Sequence, residues 1–421
     1  MKLRLPRGIR DIDPETYEKF EHIYIVFSNL CKRYNFQIME PATIELFETL
    51  SLKSGPDIEK EIYAFKDKAG RKVGLRFDLT VGITRYVVMH PEIPKPVKLA
   101  AFGVQWRYDE PQHGRYRSFY AWDIEIFGGD EKKSCIEVLL FANSLFKEVG
   151  LKNYEFRISD RRLIESLVAR YVKSEEKILE ALRVIDKYNK LSPNEFIQSL
   201  AGVLGSKERA NELLNMIKGS LNVEDVAQLA DKIGYTGPLF EVYDALKQLS
   251  VPLTIDLSIV RGLDYYDGVI FEAYDKSNTK VGAIAGGGYY SRLTRAFGAD
   301  LSAIGIAGGV ERLVLALESS AIQRREPTKV YIATTDDSVF SYAIVVANKL
   351  RNAGFIVDIN ISNRGLRSQL EYANKRNFKY VLIIGEKEKE AEKVTIRHMD
   401  ERWQKLVSVN ELISMLKEEE T

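Results

Sequence analysis

One short segment of this 421-residue sequence, RGLDYYDG at residues 261–268, brings together a permanent cation, carboxylates and two phenols. Arg261 keeps its charge at every physiological pH and can hold an anion, while Tyr265 and Tyr266 can donate and accept hydrogen bonds. The Asp-Gly pair that ends the segment is also a strong turn signal, and in a hairpin the two tyrosines would merely cover the core. The segment therefore allows an anion site without establishing one.

A second charged pattern, RFDLT at residues 76–80, alternates like a strand whose successive side chains point to opposite faces. The apolar face, which we expect to lie against the core, carries Phe77 and Leu79. The polar face carries Arg76, Asp78 and Thr80. This pattern predicts a charged face above the core.

The segment AWDIEIF at residues 121–127 alternates in the same way and predicts another strand. Its core face carries Trp122, Ile124 and Ile126, and its other face carries Ala121, Asp123, Glu125 and Phe127. Arg107 and Asp109, two residues apart, are predicted on a third strand. Together the strands would line one cavity with cations and anions, as a nucleotide and an amino acid require. Each charged residue alone is more often an ion-pair partner or part of a solvated face.

Composition limits the class of protein. A chain with 45% apolar and 29% charged residues is expected to be soluble and to form two or three packed domains. We expect no signal peptide, because the first residues carry charges and no apolar core of the required length, and no run approaches the roughly 18 apolar residues of a membrane span. We therefore expect a cytoplasmic protein without membrane contact. The net charge of +1 neither demands nor excludes a nucleic-acid partner, because a basic footprint can be local.

Cysteine and histidine are too few and too scattered for a metal site. Cys31 and Cys135 have no metal-ligand spacing, and the four histidines are far apart in the sequence. We expect neither a disulfide framework nor a metal held by protein ligands.

The order of elements predicts a chain in pieces. Asp13 and Pro14 predict the start of an amphipathic helix that ends near Tyr34, after which short strands are expected to dominate. Residues 168–247 show helical patterns alone, with a capping box from Ser192 to Glu195. Strand patterns then return and lead to a helix at 310–319. From 327 onward, strands and helices alternate and predict a small α/β domain.

The landmarks of this sequence, taken in order, resemble those of histidyl-tRNA synthetase, a class II aminoacyl-tRNA synthetase. The segments are MEPATIE at 39–45, WRYDEPQHGRYRSFYAWDIEIFG at 106–128, RGLDYYDG at 261–268, AGGGYY at 285–290 and GGVER at 308–312. The resemblance implies an α+β catalytic domain built on an antiparallel sheet with flanking helices, a helical insertion, and a C-terminal α/β anticodon-binding domain with a mixed sheet. The corresponding boundaries are 1–167 with 248–322, 168–247, and 327–421. MEPATIE, with Pro41, implies a homodimer.

The resemblance also implies that the protein uses ATP with Mg²⁺ to activate histidine and then loads the histidine onto tRNA(His). Arg107 matches the arginine that contacts the α-phosphate and the amino-acid carboxylate, and Arg261 would face it across that phosphate. Arg312 would contact the γ-phosphate. The other implied ATP contacts are Asp109, Arg115, Arg117 and Phe119, the last stacked on adenine.

The implied histidine pocket uses the remaining matched positions. Asp78 and Thr80 match the residues for the substrate amino group, and Glu125 matches the carboxylate that accepts from one imidazole nitrogen. The phenols of the pocket are Tyr265, Tyr266 and Tyr290. The implied tRNA contacts are Gln112 in the catalytic domain and Arg364 and Arg367 in the tail, beside Lys375 and Arg376.

Several positions depart from the family pattern. Ala121 stands where a glutamine is frequent, and Tyr289 and Ser291 replace an arginine and an aspartate. Phe77 replaces a proline, and Glu110 stands where many relatives carry arginine.

Three other readings of the sequence remain open. The first is a catalytically inactive regulatory subunit of histidine biosynthesis, and the second is a synthetase for another amino acid. The third is an RNA-binding protein without enzyme activity. Retention of Arg107, Arg261, Arg312 and the tail argues against the first, and RGLDYYDG with Glu125 argues against the second.

Overall fold

The computed structural model describes residues 3–52, 60–111, 114–188, 191–218, 222–261, 265–318 and 328–420, without the side chains of 280, 318 and 420. The chain separates into two compact units, Met1–Ile322 and Gln323–Thr421. Within the described ranges, no helix has the length and apolar character needed to cross a bilayer.

The first unit is built on strands that carry most of the charged segments. The described strands are β1 (Gln37–Ile38), β2 (Ile44–Leu46), β3 (Ala64–Lys66), β4 (Lys72–Leu75), β5 (Val97–Trp106), β6 (Ser118–Phe127), β7 (Tyr154–Asp160), β8 (Leu253–Ile255), β9 (Tyr266–Asp275), β10 (Ala283–Tyr290) and β11 (Ala303–Gly309). Eight of them form one sheet in the order β1-β5-β6-β11-β10-β9-β7-β8. Neighbours in this sheet are antiparallel except at its two edges, where β1 pairs with β5 and β7 pairs with β8 in parallel.

Helices flank this sheet. The described helices of the first unit are α1 (Pro14–Arg33), α2 (Phe47–Ser51), α3 (Thr80–Met89), α4 (Glu131–Glu148), α5 (Arg161–Val168), α6 (Glu175–Ile185), α7 (Pro193–Leu204), α8 (Lys207–Ile217), α9 (Val223–Lys232), α10 (Leu239–Gln248), α11 (Arg292–Ala296) and α12 (Val310–Glu318). The predicted start of α1 is confirmed, since Asp13 caps the helix by accepting from the Thr16 backbone N–H and Pro14 follows it. The strand-rich reading of the chain after Tyr34 missed α3 and α4. The start of α4 is marked by Asp130, whose side chain accepts from the Lys133 N–H.

The alternation predicted for residues 121–127 is confirmed in β6. Trp122, Ile124 and Ile126 belong to the larger core cluster beneath the helices, while Ala121 and Phe127 belong to a second cluster on the opposite face. Asp123 and Glu125 lie on that second face and are almost completely buried. Both faces of β6 are therefore covered.

The strand predicted at residues 76–80 is wrong. β4 ends at Leu75 and α3 begins at Thr80, so the segment between them is irregular. Phe77 and Leu79 are nevertheless fully buried, and Asp78 turns toward the helix, where its Oδ1 accepts from the Val81 N–H at 3.0 Å. Burial of alternate residues here reflects helix entry rather than a pleated strand.

The strand predicted through Arg107 and Asp109 is also wrong, because β5 ends at Trp106. Arg107 still lies close to the β6 side of the hairpin, since its N–H donates to the Arg117 carbonyl at 3.0 Å. The two residues therefore begin the loop that follows β5.

The helices α5 to α10 connect β7 to β8. The capping box at α7 is confirmed: the Glu195 N–H donates to the Ser192 hydroxyl, and the Ser192 N–H donates to the Glu195 carboxylate. Buried residues of these helices, such as Leu182 and Phe196, belong to the same core cluster as the central sheet. A separate helical domain at 168–247 stays a prediction.

The second unit has a mixed five-stranded sheet. Its described elements are β12 (Lys329–Thr334), α13 (Phe340–Asn352), β13 (Ile356–Ile359), α14 (Leu366–Lys375), β14 (Tyr380–Ile384), α15 (Glu386–Glu390), β15 (Lys393–His398), β16 (Gln404–Ser408) and α16 (Val409–Glu420). The strand order is β13-β12-β14-β15-β16, with the first three strands parallel and the last two added antiparallel. The predicted fold class, an antiparallel sheet with flanking helices followed by a mixed α/β unit, is confirmed.

Candidate active site

A buried group of carboxylates lies where α3 begins against β6. The Thr80 hydroxyl donates to Oδ2 of Asp123 at 3.0 Å, which joins the first turn of α3 to the second face of β6. Asp78 lies beside this contact, and Glu125 lies two residues along the strand from Asp123. Oδ2 of Asp78 and Oδ1 of Asp123 are buried and receive no hydrogen bond from any described residue. Unpaired buried oxygens of this kind are costly unless a ligand supplies donors.

A group of phenols borders the same carboxylates. The Tyr290 hydroxyl donates to Oε2 of Glu125 at 2.9 Å and lies 3.3 Å from the Thr84 hydroxyl. The ring of Tyr265 lies 4.7 Å from that of Tyr266 and 5.4 Å from that of Tyr290, measured between centroids. All three tyrosines are buried. The structure therefore brings the predicted imidazole-binding residues together.

Two glycines leave room for this arrangement. A Cβ at Gly305 on β11 would lie 1.8 Å from Oε2 of Glu125, and a Cβ at Gly286 on β10 would lie 2.3 Å from Nη1 of Arg261. Any larger residue at either position would displace the charged side chain opposite it. The glycine-rich segment therefore serves close approach of side chains to the sheet, without the lysine of a phosphate-binding loop.

The carboxyl groups are perturbed in the direction that burial dictates. Burial raises the pKa of Glu125 from its usual 4.5 to about 8, although the neighbouring hydroxyls of Thr80 and Tyr290 oppose the rise. Burial likewise raises the pKa of Asp78 to about 6, against the Val81 N–H and the charge of Arg107. Burial, and then the negative charge of Glu125, raise the pKa of Asp123 well above its usual range. A cation that entered the pocket would lower the pKa of all three carboxyl groups and stabilise their ionised forms.

Arginines from three distant segments lie beside this pocket. Arg107 donates through Nε to the Phe77 carbonyl at 2.9 Å, and its guanidinium carbon lies 5.5 Å from the centre of the Phe119 ring. Arg312, in the first turn of α12, donates to the Ala283 carbonyl at 2.8 Å. Burial, and then the nearby positive charges of Arg115 and Arg107, lower the pKa of Arg312. Mutual repulsion of this kind favours an anion between the guanidinium groups.

Arg261 lies beside the phenols of this pocket. Its Nη1 donates to Oε1 of Glu272 at 2.9 Å, and its guanidinium carbon lies 5.6 Å from the centre of the Tyr266 ring. The negative charge of Glu272 also acts on Arg312, so both arginines lie near one carboxylate. Arg261 has φ of 60°, a left-handed conformation that is costly for a non-glycine residue. Its Nε makes no hydrogen bond with a described residue.

The loop after β5 holds further predicted ATP residues. Asp109 pairs with Arg115, and Arg117 donates through Nε to the Asp109 carbonyl at 2.9 Å. The guanidinium of Arg117 stacks 3.8 Å above the ring of Tyr108. Glu110, where the family frequently has arginine, instead pairs with Arg7 at 2.7 Å on the exposed surface. The adjoining Gln112 lies outside the described residues.

Two further carboxylates near the site had no predicted role: Glu311 is buried and Glu272 is partly buried. Glu311 accepts from the Tyr120 N–H at 3.1 Å and from Arg10 at 3.2 Å, and burial raises its pKa to about 7. Its position next to Arg312 in GGVER was a signal that could have been used. Glu272, the partner of Arg261, lies in β9 with no motif to mark it.

The proposed tRNA residues of the second unit lie on its surface. Arg367 is 96% exposed and pairs with Glu371 one turn along α14. The guanidinium of Arg364 lies 5.8 Å from the ring of Tyr372. A role in tRNA binding stays a prediction.

Comparisons with known proteins cover nearly the whole chain. Residues 8–313 match a family model described as histidyl-tRNA synthetase, and residues 329–419 match one described as an anticodon binding domain. The histidine–tRNA ligase of Pyrobaculum aerophilum is 36% identical over 406 residues, which are 95% of this chain and 96% of that protein.

Two crystal structures share the fold. The histidyl-tRNA synthetase from Nostoc is 23% identical, with a TM-score of 0.82 over the full length of both chains. An ATP phosphoribosyltransferase regulatory subunit/histidyl-tRNA synthetase from Bacillus halodurans is 21% identical, with a TM-score of 0.75 over 91% of this chain and 99% of that one. The fold is thus that of the class II synthetases. The chain itself belongs to the histidyl-tRNA synthetase family.

Proposed function

We propose that this protein activates L-histidine with ATP to form histidyl-adenylate and pyrophosphate, and then transfers the histidine to the 3′ end of tRNA(His). Membership of the family supports this function. The observation that carries it is the junction of two environments: a buried acid-and-phenol pocket around Glu125 and Tyr290, and a group of arginines around Arg107 and Arg312. Histidine needs the first environment and ATP needs the second.

In the first step, a carboxylate oxygen of histidine attacks the α-phosphorus of ATP, an oxygen–phosphorus bond forms, and pyrophosphate leaves. We assign Arg107 and Arg261 to opposite sides of that phosphorus and Arg312 to the γ-phosphate. Fixed guanidinium groups stabilise charge that spreads over phosphate oxygens in the transition state. Arg312 lies in the first turn of a helix, and the positive end of the helix dipole adds to its effect.

Histidine is selected by hydrogen bonds to its ring. We assign Glu125 as the acceptor for one imidazole N–H and the phenols of Tyr265 and Tyr266 to the other side of the ring, with Tyr290 holding Glu125. Sites that pair polar groups with a substrate reject analogues without those groups by up to about 10⁴-fold, because buried partners would be left unpaired. Asp78 and Thr80 are assigned to the amino group.

The adenine and the rest of the triphosphate are assigned to the loop after β5. Phe119 presents its ring beside Arg107, which suits stacking on a base. Arg115 and Arg117 supply positive charge, and Asp109, which already pairs with Arg115, fixes their position. These residues lie in or next to the loop that joins β5 to β6, so ATP would bind along that end of the hairpin.

Magnesium accompanies ATP in this proposal. Among the described residues, no group of three or more acidic, histidine or cysteine side chains could hold a metal ion. Mg²⁺ prefers phosphate oxygens, water and one or two carboxylates, so an ion bound chiefly by the ATP phosphates fits, with Asp109 as the proposed protein contact. The ion would neutralise phosphate charge.

In the second step, a ribose hydroxyl at the 3′ end of tRNA attacks the acyl carbon of histidyl-adenylate and AMP leaves. We propose that Gln112 contacts this end of the tRNA and that Arg364 and Arg367 contact phosphates near the anticodon. Such contacts position RNA without reading its sequence. The match of the second unit to an anticodon binding domain supports this assignment.

A homodimer is also proposed. Ile38, Ile44 and Leu46, which flank Pro41, are large apolar side chains that are 42%, 52% and 41% exposed. Exposed apolar residues grouped on one segment are typical of an association surface. A cytoplasmic location is proposed with it, as tRNA charging requires.

The regulatory-subunit alternative is favoured by one observation, the fold shared with the Bacillus halodurans protein. Amino-acid-dependent exchange of pyrophosphate into ATP separates the two functions. Exchange with histidine alone among the twenty amino acids supports the synthetase, and exchange with another amino acid changes the assigned substrate. No exchange with any amino acid, in protein that still binds histidine, would favour the regulatory role.

A further inference from the structure

The buried face of β6 carries one more carboxylate than the assignments above use. Asp123 is fully buried, and of its two oxygens only Oδ2 accepts a hydrogen bond from a described group, the hydroxyl of Thr80. Oδ1 is buried and receives none. Ala121, the next residue on this face, has no polar atom to offer it. The Asp123 carboxyl group also shares a hydrogen bond with that of Glu125, and once ionised its Oδ1 can accept from a donor that the described N–H and hydroxyl groups do not provide.

The positions around Asp123 identify the kind of donor. Thr80 contacts Asp123 directly, and Asp78 lies two residues before Thr80, at the entry to α3, with its own Oδ2 unpaired. The Thr80 hydroxyl gives its proton to Asp123, so that its lone pairs are free to accept. Asp78, Thr80 and Asp123 therefore offer three acceptors at one end of the pocket. An ammonium group has three N–H donors and no acceptor.

We infer that Asp123 binds the α-ammonium group of the amino-acid substrate, as the third acceptor beside Asp78 and Thr80. This inference rests on the proposed function, which makes an amino acid the substrate. It assigns Asp123 to the ammonium and leaves Glu125 to the imidazole. Two carboxylates and a hydroxyl then surround a cation in a region closed to water, where charge-assisted hydrogen bonds are strong.

The electrostatics of the empty pocket agree with this inference. Burial, the charge of Glu125 and the charge of Asp78 all raise the pKa of Asp123. A positive group bound between Asp78 and Asp123 would oppose each of these effects and stabilise the ionised carboxylates. The pocket is therefore built to accept a cation at this end.

The test compares histidine with its analogue that lacks the amino group, 3-(imidazol-4-yl)propanoate. In the full-length protein, Asp123→Asn is expected to weaken histidine binding by about 10-fold or more, since a hydrogen bond to a charged group contributes about 1.5–3 kcal/mol. The same change is expected to alter inhibition by the analogue by less than about 2-fold. Unchanged histidine binding, or equal weakening of histidine and the analogue, would overturn the inference.

Asp275→Asn is the matched control. Asp275 is another buried aspartate of the same sheet, in β9. One of its oxygens accepts from the Ser277 N–H, and the other has no hydrogen-bond partner among the described residues. Its substitution is expected to leave histidine binding unchanged. If Asp123→Asn does not fold, Asp123→Ser, which keeps an acceptor for Thr80, is measured in the same way.

Calorimetric binding and pyrophosphate exchange are both measured, so that failure of the proposed function can be distinguished from failure of the Asp123 assignment. Binding of histidine without exchange counts against the proposed function, and unchanged binding in the variant counts against Asp123. If the unmodified protein binds no histidine, the proposed function and the assignment of Asp123 are both wrong.

Discussion

Tyr290 on β10 donates a hydrogen bond of 2.9 Å to Oε2 of Glu125 on β6, although the two residues are 165 positions apart in the chain. The intervening strand β11 leaves space for the contact, because Gly305 has no side chain to fill it. The hydrogen bond fixes the carboxylate that we assign to the imidazole.

Tyr290→Phe should therefore weaken histidine recognition. The ring contacts with Tyr265 remain, but Glu125 loses a donor and a fixed position. We expect the KM for histidine to rise by about 10-fold, as for one hydrogen bond to a charged group, with the KM for ATP nearly unchanged. Tyr154→Phe, which removes a buried hydroxyl outside the pocket, is the control and should change neither value. An equal change in both KM values would contradict the assignment.

The raised pKa of Glu125 predicts a pH dependence of stability. Between the usual value of 4.5 and about 8, the folded state holds a proton that the unfolded state has lost. The contribution of Glu125 to the free energy of unfolding is therefore present below pH 4.5, falls as pH rises through this window, and is lost above about 8. Urea unfolding at pH 5 to 8 should show a shallower decline in Glu125→Gln than in the unmodified protein. Parallel declines would show that Glu125 titrates normally.

Arg261→Ala should reduce adenylate formation far more than histidine binding. The guanidinium is assigned to the α-phosphate, where charge develops only during reaction, so its removal is expected to lower kcat by about 10²-fold or more. The dissociation constant for histidine should change by less than about 3-fold. Because Glu272 loses its partner in this variant, Arg261→Ala with Glu272→Gln is measured beside it. Equal losses in kcat and histidine affinity would refute the role.

A network of charged side chains around Arg162 predicts an effect on stability. Arg162 pairs with Glu131 at 2.7 Å and with buried Asp160 at 2.5 Å, and Asp160 also accepts from the Tyr235 hydroxyl. Arg162→Met would leave two carboxylates without their cation. We expect a loss of at least about 2 kcal/mol, less than the roughly 3–5 kcal/mol of a fully buried pair, because Arg162 is partly exposed. Chemical denaturation measures it.

The control for that loss is Arg367→Met in the second unit. Its pair with Glu371 is exposed, and exposed pairs contribute about 0–1 kcal/mol. If the two variants lost the same free energy of unfolding, the Arg162 network would stabilise the protein no more than an exposed ion pair does.

The sequence predicted the elements whose patterns are local. The N-cap at Asp13, the capping box at Ser192, the alternation in β6 and the first strands and helices of the second unit all follow from periods and caps that a short window contains. Such signals depend on neighbouring residues alone, so a single sequence is sufficient to find them.

The sequence failed where burial had a tertiary cause. Phe77 and Leu79 alternate with polar residues because the chain enters α3 there, and an irregular segment and a strand give the same apolar spacing. Arg107 was wrongly predicted to lie on a strand for the same reason. The proximity of Arg107, Arg261 and Arg312 was predicted from the resemblance alone. The number of residues between distant segments does not tell how far apart those segments lie in the folded chain. Asp123 was placed on the correct face, yet its unpaired oxygen became visible only with its neighbours.

The most direct test of the central claim is a crystal structure with a non-hydrolysable analogue of histidyl-adenylate. The account predicts the imidazole between Glu125 and the tyrosine phenols, the ammonium at Asp78, and the phosphate mimic between the guanidinium groups of Arg107 and Arg261. An analogue whose imidazole lies away from Glu125, or whose phosphate mimic contacts neither arginine, would contradict it.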